Sequence, residues 1–235
     1  MLELRNVSYH PATAAQPVLR DLNLTLPVGR VALVAGRSGS GKTTLLEVIS
    51  GLAEPSSGTL LWEGQPLNGR QRRWLCGLVF QFPERHFLGL SVGQELKLGH
   101  RRLTADQGQE VLTLVGLEGL SLQQPPEQLS GGQQRRLALA VQLLRNPRVL
   151  LLDEPTAGLD WAVRGEILEL LAALAQERAV LLVTHELAFA RDIAHRVVFV
   201  EGGRVVESGP TRAVLDQPQH PRLQEFLGKH RARPL

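Results

Sequence analysis

Val31-Ala-Leu-Val-Ala-Gly36-Arg-Ser-Gly-Ser-Gly-Lys42-Thr43 is the stretch from which the fold can be read. Its first part, Val31–Val34, is an unbroken apolar run, the pattern of a strand covered on both faces in a parallel sheet. Its second part fits G-x-x-x-x-G-K-[ST] and leads into Thr43–Ser50, which reads as a helix. A glycine-rich turn between strand and helix lets backbone N–H groups close around phosphate oxygens, and the helix N-terminus adds a favourable dipole. The expected phosphate cradle is therefore Gly36, Arg37, Ser38, Gly39, Ser40, Gly41, Lys42, Thr43 and Thr44. Lys42 is expected on the β- and γ-phosphates and the Thr43 hydroxyl on Mg²⁺.

Outward from this stretch, similar buried runs recur at Val149–Leu152, Val180–Val183 and Val197–Val200, separated by helical segments. Strands alternating with helices predict a three-layer α/β core with a mostly parallel sheet. The first thirty residues differ: Leu2, Leu4, Val7 and then Leu22, Leu24, Leu26 alternate with polar residues, and Pro11 and Pro17 interrupt them. That pattern predicts an N-terminal antiparallel β subdomain. Strand signals vanish between Pro83 and Pro147, where Ser91–Gly99, Thr104–Val115 and Gly131–Arg145 have helical periodicity. Ser91 and Thr104 are the expected N-caps. One domain is expected, with residues 1–82 and 146–235 as core and residues 83–145 as an inserted helical subdomain. Gln123-Gln-Pro-Pro126 reads as a linker.

Composition sets the outer bounds. At 235 residues, 43% hydrophobic and 21% charged, the chain is an ordinary globular domain. Its single cysteine, Cys76, forms no internal disulfide and fits a reducing compartment. No apolar stretch approaches the roughly 18 residues needed to span a bilayer, and no signal peptide opens the sequence. The 26 basic and 23 acidic residues leave +3, and aromatics are only 4%, so no nucleic-acid partner is expected. The clusters Arg70-Gln71-Arg72-Arg73 and Lys229-His230-Arg231-Ala232-Arg233 read as a solvated loop and a frayed tail.

The run Leu150-Leu-Leu-Asp153-Glu154 delivers two carboxylates at the end of a strand, where α/β sheets place ligands. Asp153 is expected to hold Mg²⁺. Glu154 is expected to accept a proton from the attacking water, or to orient it.

Leu129-Ser130-Gly131-Gly132-Gln133 precedes that strand and opens a further helix. Together with the two motifs above, it makes the chain resemble the nucleotide-binding subunit of ATP-binding-cassette (ABC) transporters from Leu2 to about Leu215. The resemblance implies the phosphate-loop ABC ATPase fold and the cofactors ATP and Mg²⁺. It implies that Tyr9 stacks on adenine and that Gln81 joins core to helical subdomain and contacts the metal or water. It further implies that Asp160, in Ala157-Gly-Leu-Asp160, communicates across a dimer and that His185 contacts the γ-phosphate. In this family two subunits pack head to tail, with ATP between one phosphate loop and the partner's Ser130-Gly-Gly segment and Gln133. The partners so implied are a second ATPase subunit, identical or related, and integral membrane subunits. The implied place is the cytoplasmic face of the cell membrane, or of an organelle membrane, as a peripheral protein.

Phe80-Gln-Phe-Pro-Glu84 and Ser91-Val-Gly-Gln-Glu95-Leu-Lys-Leu-Gly99 look like energy-coupling-factor importers of vitamins or transition-metal ions. His86, Ser91 and Leu98 depart from that pattern, and Glu95 keeps its acid. Arg72, Arg73 and Arg85 are expected along the rim of a groove for a membrane subunit's coupling helix. The alternatives are a soluble ABC ATPase of DNA maintenance or translation, or an exporter subunit. Against the first stand the short helical insert between Lys42 and Asp153 and the presence of one cassette. A plain phosphate-loop kinase leaves Ser130–Gln133 and His185 without a role.

Overall fold

The computed structural model describes residues 1–100 and 102–231, with Phe189, Ala190, His230 and Arg231 described by backbone alone. In chain order the strands are β1 Leu2–Tyr9, β2 Leu19–Leu26, β3 Arg30–Ala35, β4 Ser57–Trp62, β5 Gln65–Pro66, β6 Cys76–Val79, β7 Val149–Asp153, β8 Ala179–Val183, β9 Arg196–Glu201 and β10 Arg204–Pro210. The helices are α1 Lys42–Ser50, α2 Gly69–Leu75, α3 Val92–Lys97, α4 Ala105–Leu114, α5 Gly131–Leu143, α6 Trp161–Leu174, α7 Leu187–Ile193, α8 Thr211–Asp216 and α9 Pro221–Arg231. A 3₁₀ turn covers Pro83–His86.

Two sheets form. The six-stranded one runs β10-β9-β3-β8-β7-β6, parallel except for β10. The apolar runs are its centre, and their continuity has a physical reason: successive side chains face opposite layers. Val31, Leu33 and Ala35 enter the cluster with α3, α4, α5 and α6, whereas Ala32 and Val34 enter the one with α1 and the antiparallel strands. Both faces are dry, so no polar position interrupts the strand. Leu33 is fully buried, and truncation there to alanine costs about 2–5 kcal/mol.

The second sheet, β2-β1-β4-β5, is antiparallel throughout. Leu2 pairs with Leu26 and Leu4 with Leu24, and these leucines make the inward face that alternation demands. The helical stretch also forms as expected: the Ser91 side chain caps α3, and Thr104 and Gln107 form a reciprocal capping box on α4. Glu95, buried on α3, accepts N–H bonds from Leu88 at 2.9 Å and Gly89 at 2.7 Å, which ties the preceding loop to this helix.

Three expectations change. Arg70–Arg73 is not a solvated loop but part of α2, capped by Asn68 and Gln71. Arg72 is not on a groove rim: it is 1% exposed and donates to the Val48 carbonyl and to Glu54. Its helix places it under α1, where it satisfies a carbonyl near the helix end, a role that charge alone does not announce. Gln123–Pro126 is more than a linker, because the carbonyls of Leu122 and Gln124 accept from Gly93 and Val92 at 2.8 and 2.9 Å. Residues 232–235 of the basic tail lie outside the described residues, whereas Lys229 belongs to α9 and bonds Glu225 at 2.8 Å. Cys76 is buried, its thiol 3.6 Å from the Ile49 carbonyl, and burial pushes its pKa up to about 12.

Candidate active site

The loop between β3 and α1 is shaped by close approach. A Cβ on Gly36 would stand 2.2 Å from the Val200 carbonyl oxygen, so only glycine lets the chain leave β3 alongside β9. Gly41 caps α1 in the left-handed region at φ 100°, which again favours glycine. Lys42, 8% exposed, turns back and donates to the carbonyls of Gly36 at 2.8 Å and Arg37 at 2.9 Å. Burial lowers its pKa, while Glu154 and Asp153 act in the opposite sense. An ammonium parked on two carbonyls can exchange them for phosphate oxygens without leaving the loop.

The carboxyl ends of β7 and β8 complete the cavity. Asp153 accepts from the Thr43 hydroxyl at 2.7 Å. Glu154 adopts φ 49° just after the strand and donates its N–H to the Val183 carbonyl at 2.8 Å. This turn folds its side chain back over the site. One carboxylate oxygen accepts the His185 N–H at 3.1 Å, and the other lies 3.3 Å from His185 Nε2. That second oxygen is buried and makes no hydrogen bond among the described residues. Burial raises the Glu154 pKa, with opposition from the His185 N–H and the Thr184 hydroxyl, further elevation from Asp153, and opposition again from Lys42. A buried acceptor of raised basicity with an open lone pair has the attributes of a general base.

Ser38, Gly39, Gly41, Lys42, Thr43, Thr44, Gln81, Asp153, Glu154 and His185 line one cavity of about 370 Å³, joined by Val18. The sequence reading did not single out Val18; its place follows from the pairing of β1 with β2. The Thr43 hydroxyl, the Asp153 carboxylate and the Gln81 amide line the same cavity and offer it hard oxygen donors. Such a set fits Mg²⁺, which binds one or two protein oxygens and takes phosphates and water for the rest.

Tyr9 does not line this cavity; it ends β1 and packs against the antiparallel-sheet core. Ser130, Gly132 and Gln133 line a separate cleft of about 380 Å³ with Gly116, Glu118, Arg136 and Glu166. There the Ser130 hydroxyl accepts the Gln133 N–H at 3.3 Å, and the Gln133 side chain accepts the Ser130 N–H at 2.9 Å. Asp160 caps α6 by accepting from Val163 at 3.0 Å.

Between cavity and cleft runs a network absent from the sequence reading. Arg135 of α5, 8% exposed, donates to the Ala157 carbonyl at 2.5 Å. Desolvation lowers its pKa, offset by Glu84 and then Glu186. Glu186, beside His185, accepts from Thr156 at 2.6 Å and from Arg164 at 2.8 Å. The sequence offered no signal for it, because the buried place of Arg135 depends on the Ala157 carbonyl, which the fold brings up from another segment.

A phosphate loop at the carboxyl edge of a parallel sheet, facing an acidic strand end, defines an α/β nucleotide-hydrolysing cassette. Residues 19–157 match the ABC transporter family, and the chain belongs to it. The L-cystine transport system ATP-binding protein of Escherichia coli is 40% identical, over 91% of this chain and 92% of that protein. The energy-coupling factor transporter ATP-binding protein EcfA2 of Lactiplantibacillus plantarum is 36% identical, over 90% and 77%. Among solved structures, cbiO1 of Clostridium perfringens, part of the ABC transporter complex cbiONQ, superposes with a TM-score of 0.82 at 30% identity, covering 92% of this chain and 90% of that one. The fold is thus that of the ABC cassette, and the chain is an ATPase of this family. The relatives include an amino-acid transporter and an energy-coupling-factor transporter, so the importer branch expected from Phe80–Gly99 is not singled out by them.

Proposed function

We propose that this chain hydrolyses ATP in a two-subunit cassette that drives uptake through separate membrane subunits. The carrying observation is the split between the two half-sites. Lys42, Thr43, Asp153, Glu154, Gln81 and His185 share one cavity, while Ser130, Gly132 and Gln133 face another. A second copy or a related subunit, placed head to tail, brings its Ser130 segment over the first cavity.

In the assembled site Lys42 leaves the Gly36 and Arg37 carbonyls for the β- and γ-phosphates. Backbone N–H groups of Gly39 and Gly41 and the start of α1 carry the remaining phosphate charge. The open Glu154 oxygen takes the proton of the attacking water, and His185, 3.3 Å away, holds that carboxylate and reaches the γ-phosphate. Thr43 and Asp153 would hold Mg²⁺, with Gln81 beside them, and the ion when bound neutralises phosphate charge. Ser130 and Gln133 close on the γ-phosphate from the partner, so hydrolysis removes the contact that holds the pair. Tyr9 serves as the adenine platform once nucleotide is present, and Asp160 relays between the two subunits.

Within the importers, Phe80–Glu84 and Glu95 support the energy-coupling-factor branch, with a vitamin or transition-metal ion as cargo. His86 stacks on Phe80 with ring centres 4.7 Å apart, and Phe82, Leu88 and Leu90 stand exposed on the same segment. Similarity of 40% to the L-cystine system supports a second reading, an amino-acid importer. Among the described residues no helix is long and apolar enough to cross a membrane. The test is an affinity capture of Glu154→Gln with ATP from detergent-solubilised native membranes. A small helical membrane protein shared with a second ATPase supports the first branch; a permease of an amino-acid system supports the second. Recovery of soluble, ribosomal or DNA-linked partners alone would overturn the transport reading and leave the ATPase chemistry standing.

A further inference from the structure

We propose that Glu225, on the C-terminal helix, weakens nucleotide binding by holding Arg37 of the phosphate loop in its nucleotide-free position. The inference rests on the ATP-binding reading of the Lys42 cavity. It concerns a residue far outside every nucleotide motif.

The geometry begins with how α9 is fixed. Leu223, Phe226 and Leu227 are buried, and the Phe226 ring lies 5.2 Å from that of Phe199 on β9. The same strand, one residue on, presents the Val200 carbonyl against Gly36. Helix and phosphate loop therefore share β9 as a floor. From the outer face of α9, Glu225 accepts from Arg37 Nη2 at 2.6 Å and from Lys229 Nζ at 2.8 Å, with Arg222 Nη1 at 3.5 Å. Lys229 first and then Arg37 hold its carboxyl below the usual range.

Arg37 is thus pinned at both ends. Its guanidinium is on Glu225 at 2.6 Å, and its carbonyl takes a bond from Lys42 at 2.9 Å. Nucleotide must draw Lys42 off that carbonyl, which frees the Arg37 peptide to reorient. A guanidinium committed to a carboxylate is withheld from phosphate, and the carboxylate itself repels the incoming anion. Both effects have the same sign: Glu225 lowers affinity. Each partner is 41% exposed, so solvent and salt screen the pair, and the effect is a few-fold change rather than a switch.

The experiment titrates the full chain with a fluorescent ATP analogue and Mg²⁺ at low and high salt. Wild type is compared with Glu225→Gln, Arg37→Gln, the double variant and Lys229→Gln, and KM and kcat are measured in parallel. Glu225→Gln is expected to tighten binding about two- to fivefold at low salt, the range of an exposed ion pair, with the gain fading at high salt. KM should fall with it while kcat at saturation stays within about twofold, a split that loosened helix packing would not give. In the Arg37→Gln background the gain should shrink by at least half, because its main route is gone. Lys229→Gln, which leaves the Arg37 contact in place and removes a competing cation from the same carboxylate oxygen, should bind no tighter than wild type, and a gain like that of Glu225→Gln would overturn the inference. Unchanged or weaker binding by Glu225→Gln, or an equal gain without Arg37, overturns the inference. A wild-type chain that fails to bind, or a Lys42→Ala chain that binds equally well, overturns the nucleotide reading and this inference with it.

Discussion

The Lys42 cavity and the Ser130 cleft belong to one chain but are in opposite states of satisfaction. In the cavity, polar groups wait: Lys42 rests on two carbonyls, and one Glu154 oxygen is buried without a hydrogen bond among the described residues. Buried polar atoms without partners are expensive, and such sites persist where a ligand completes them. In the cleft the groups are occupied already, with Ser130 and Gln133 bonded to each other's backbone and Arg136 held by Glu166 and the Val115 carbonyl. On the proposed function, the first region carries the chemistry and the second is presented to the partner as a rigid tooth. A capped helix start keeps its shape before any nucleotide arrives.

That contrast can be broken in order of size. Glu154→Gln should lower turnover by about 10²–10⁴, the span of a lost general base, while nucleotide binding persists; paired ATPase and binding assays decide it. Normal turnover would move the base elsewhere. Ser130→Arg should leave binding by the isolated chain intact yet lower turnover by about 10²-fold, as loss of a transition-state donor does. ATP-dependent dimerisation followed by light scattering should vanish too. If the variant still dimerises, the tooth does not close on the cavity.

A pH profile comes next. Burial raises the Glu154 pKa, so its active, deprotonated form is lost at a higher pH than for an ordinary glutamate. Turnover should therefore fall as pH drops through that raised value, about tenfold per pH unit below it. The acid limb should be absent from the residual rate of Glu154→Gln. Smallest is Gln133→Ala, which removes half of a capping box and should cost about 0.5–1 kcal/mol in chemical denaturation. A much larger loss would mean that the cleft, like the cavity, depends on groups beyond its own helix.

Legibility in the sequence followed the range of the forces involved. The apolar run, glycine turn and lysine are local, and the structure places them as a strand, a loop and a helix start in that order. The N-caps Ser91 and Thr104 were legible for the same reason: a side chain bonding a backbone three residues on needs nothing distant. The buried place of Arg72 was not, because it depends on Val48 and Glu54 from another part of the chain. The short strand β6, with Gly77 inside it, carries little pattern of its own and is held by its pairing with β7. Val18 in the cavity and Glu225 beside the loop are likewise products of tertiary approach. The family resemblance named the two half-sites, and in the fold their residues line different clefts of one chain.

The buried Cys76 has a practical corollary. With its thiol pushed up to about 12, it stays protonated at neutral pH, and the surrounding core bars reagents as well. It is also the chain's single cysteine. A thiol installed at the exposed Glu118 position, on the rim of the Ser130 cleft, would therefore be the chain's one reactive thiol toward maleimides or spin labels, without first engineering a cysteine-free background. Paired labels of that kind would report the approach of one subunit's tooth to its neighbour as a distance, in real time and in a native membrane.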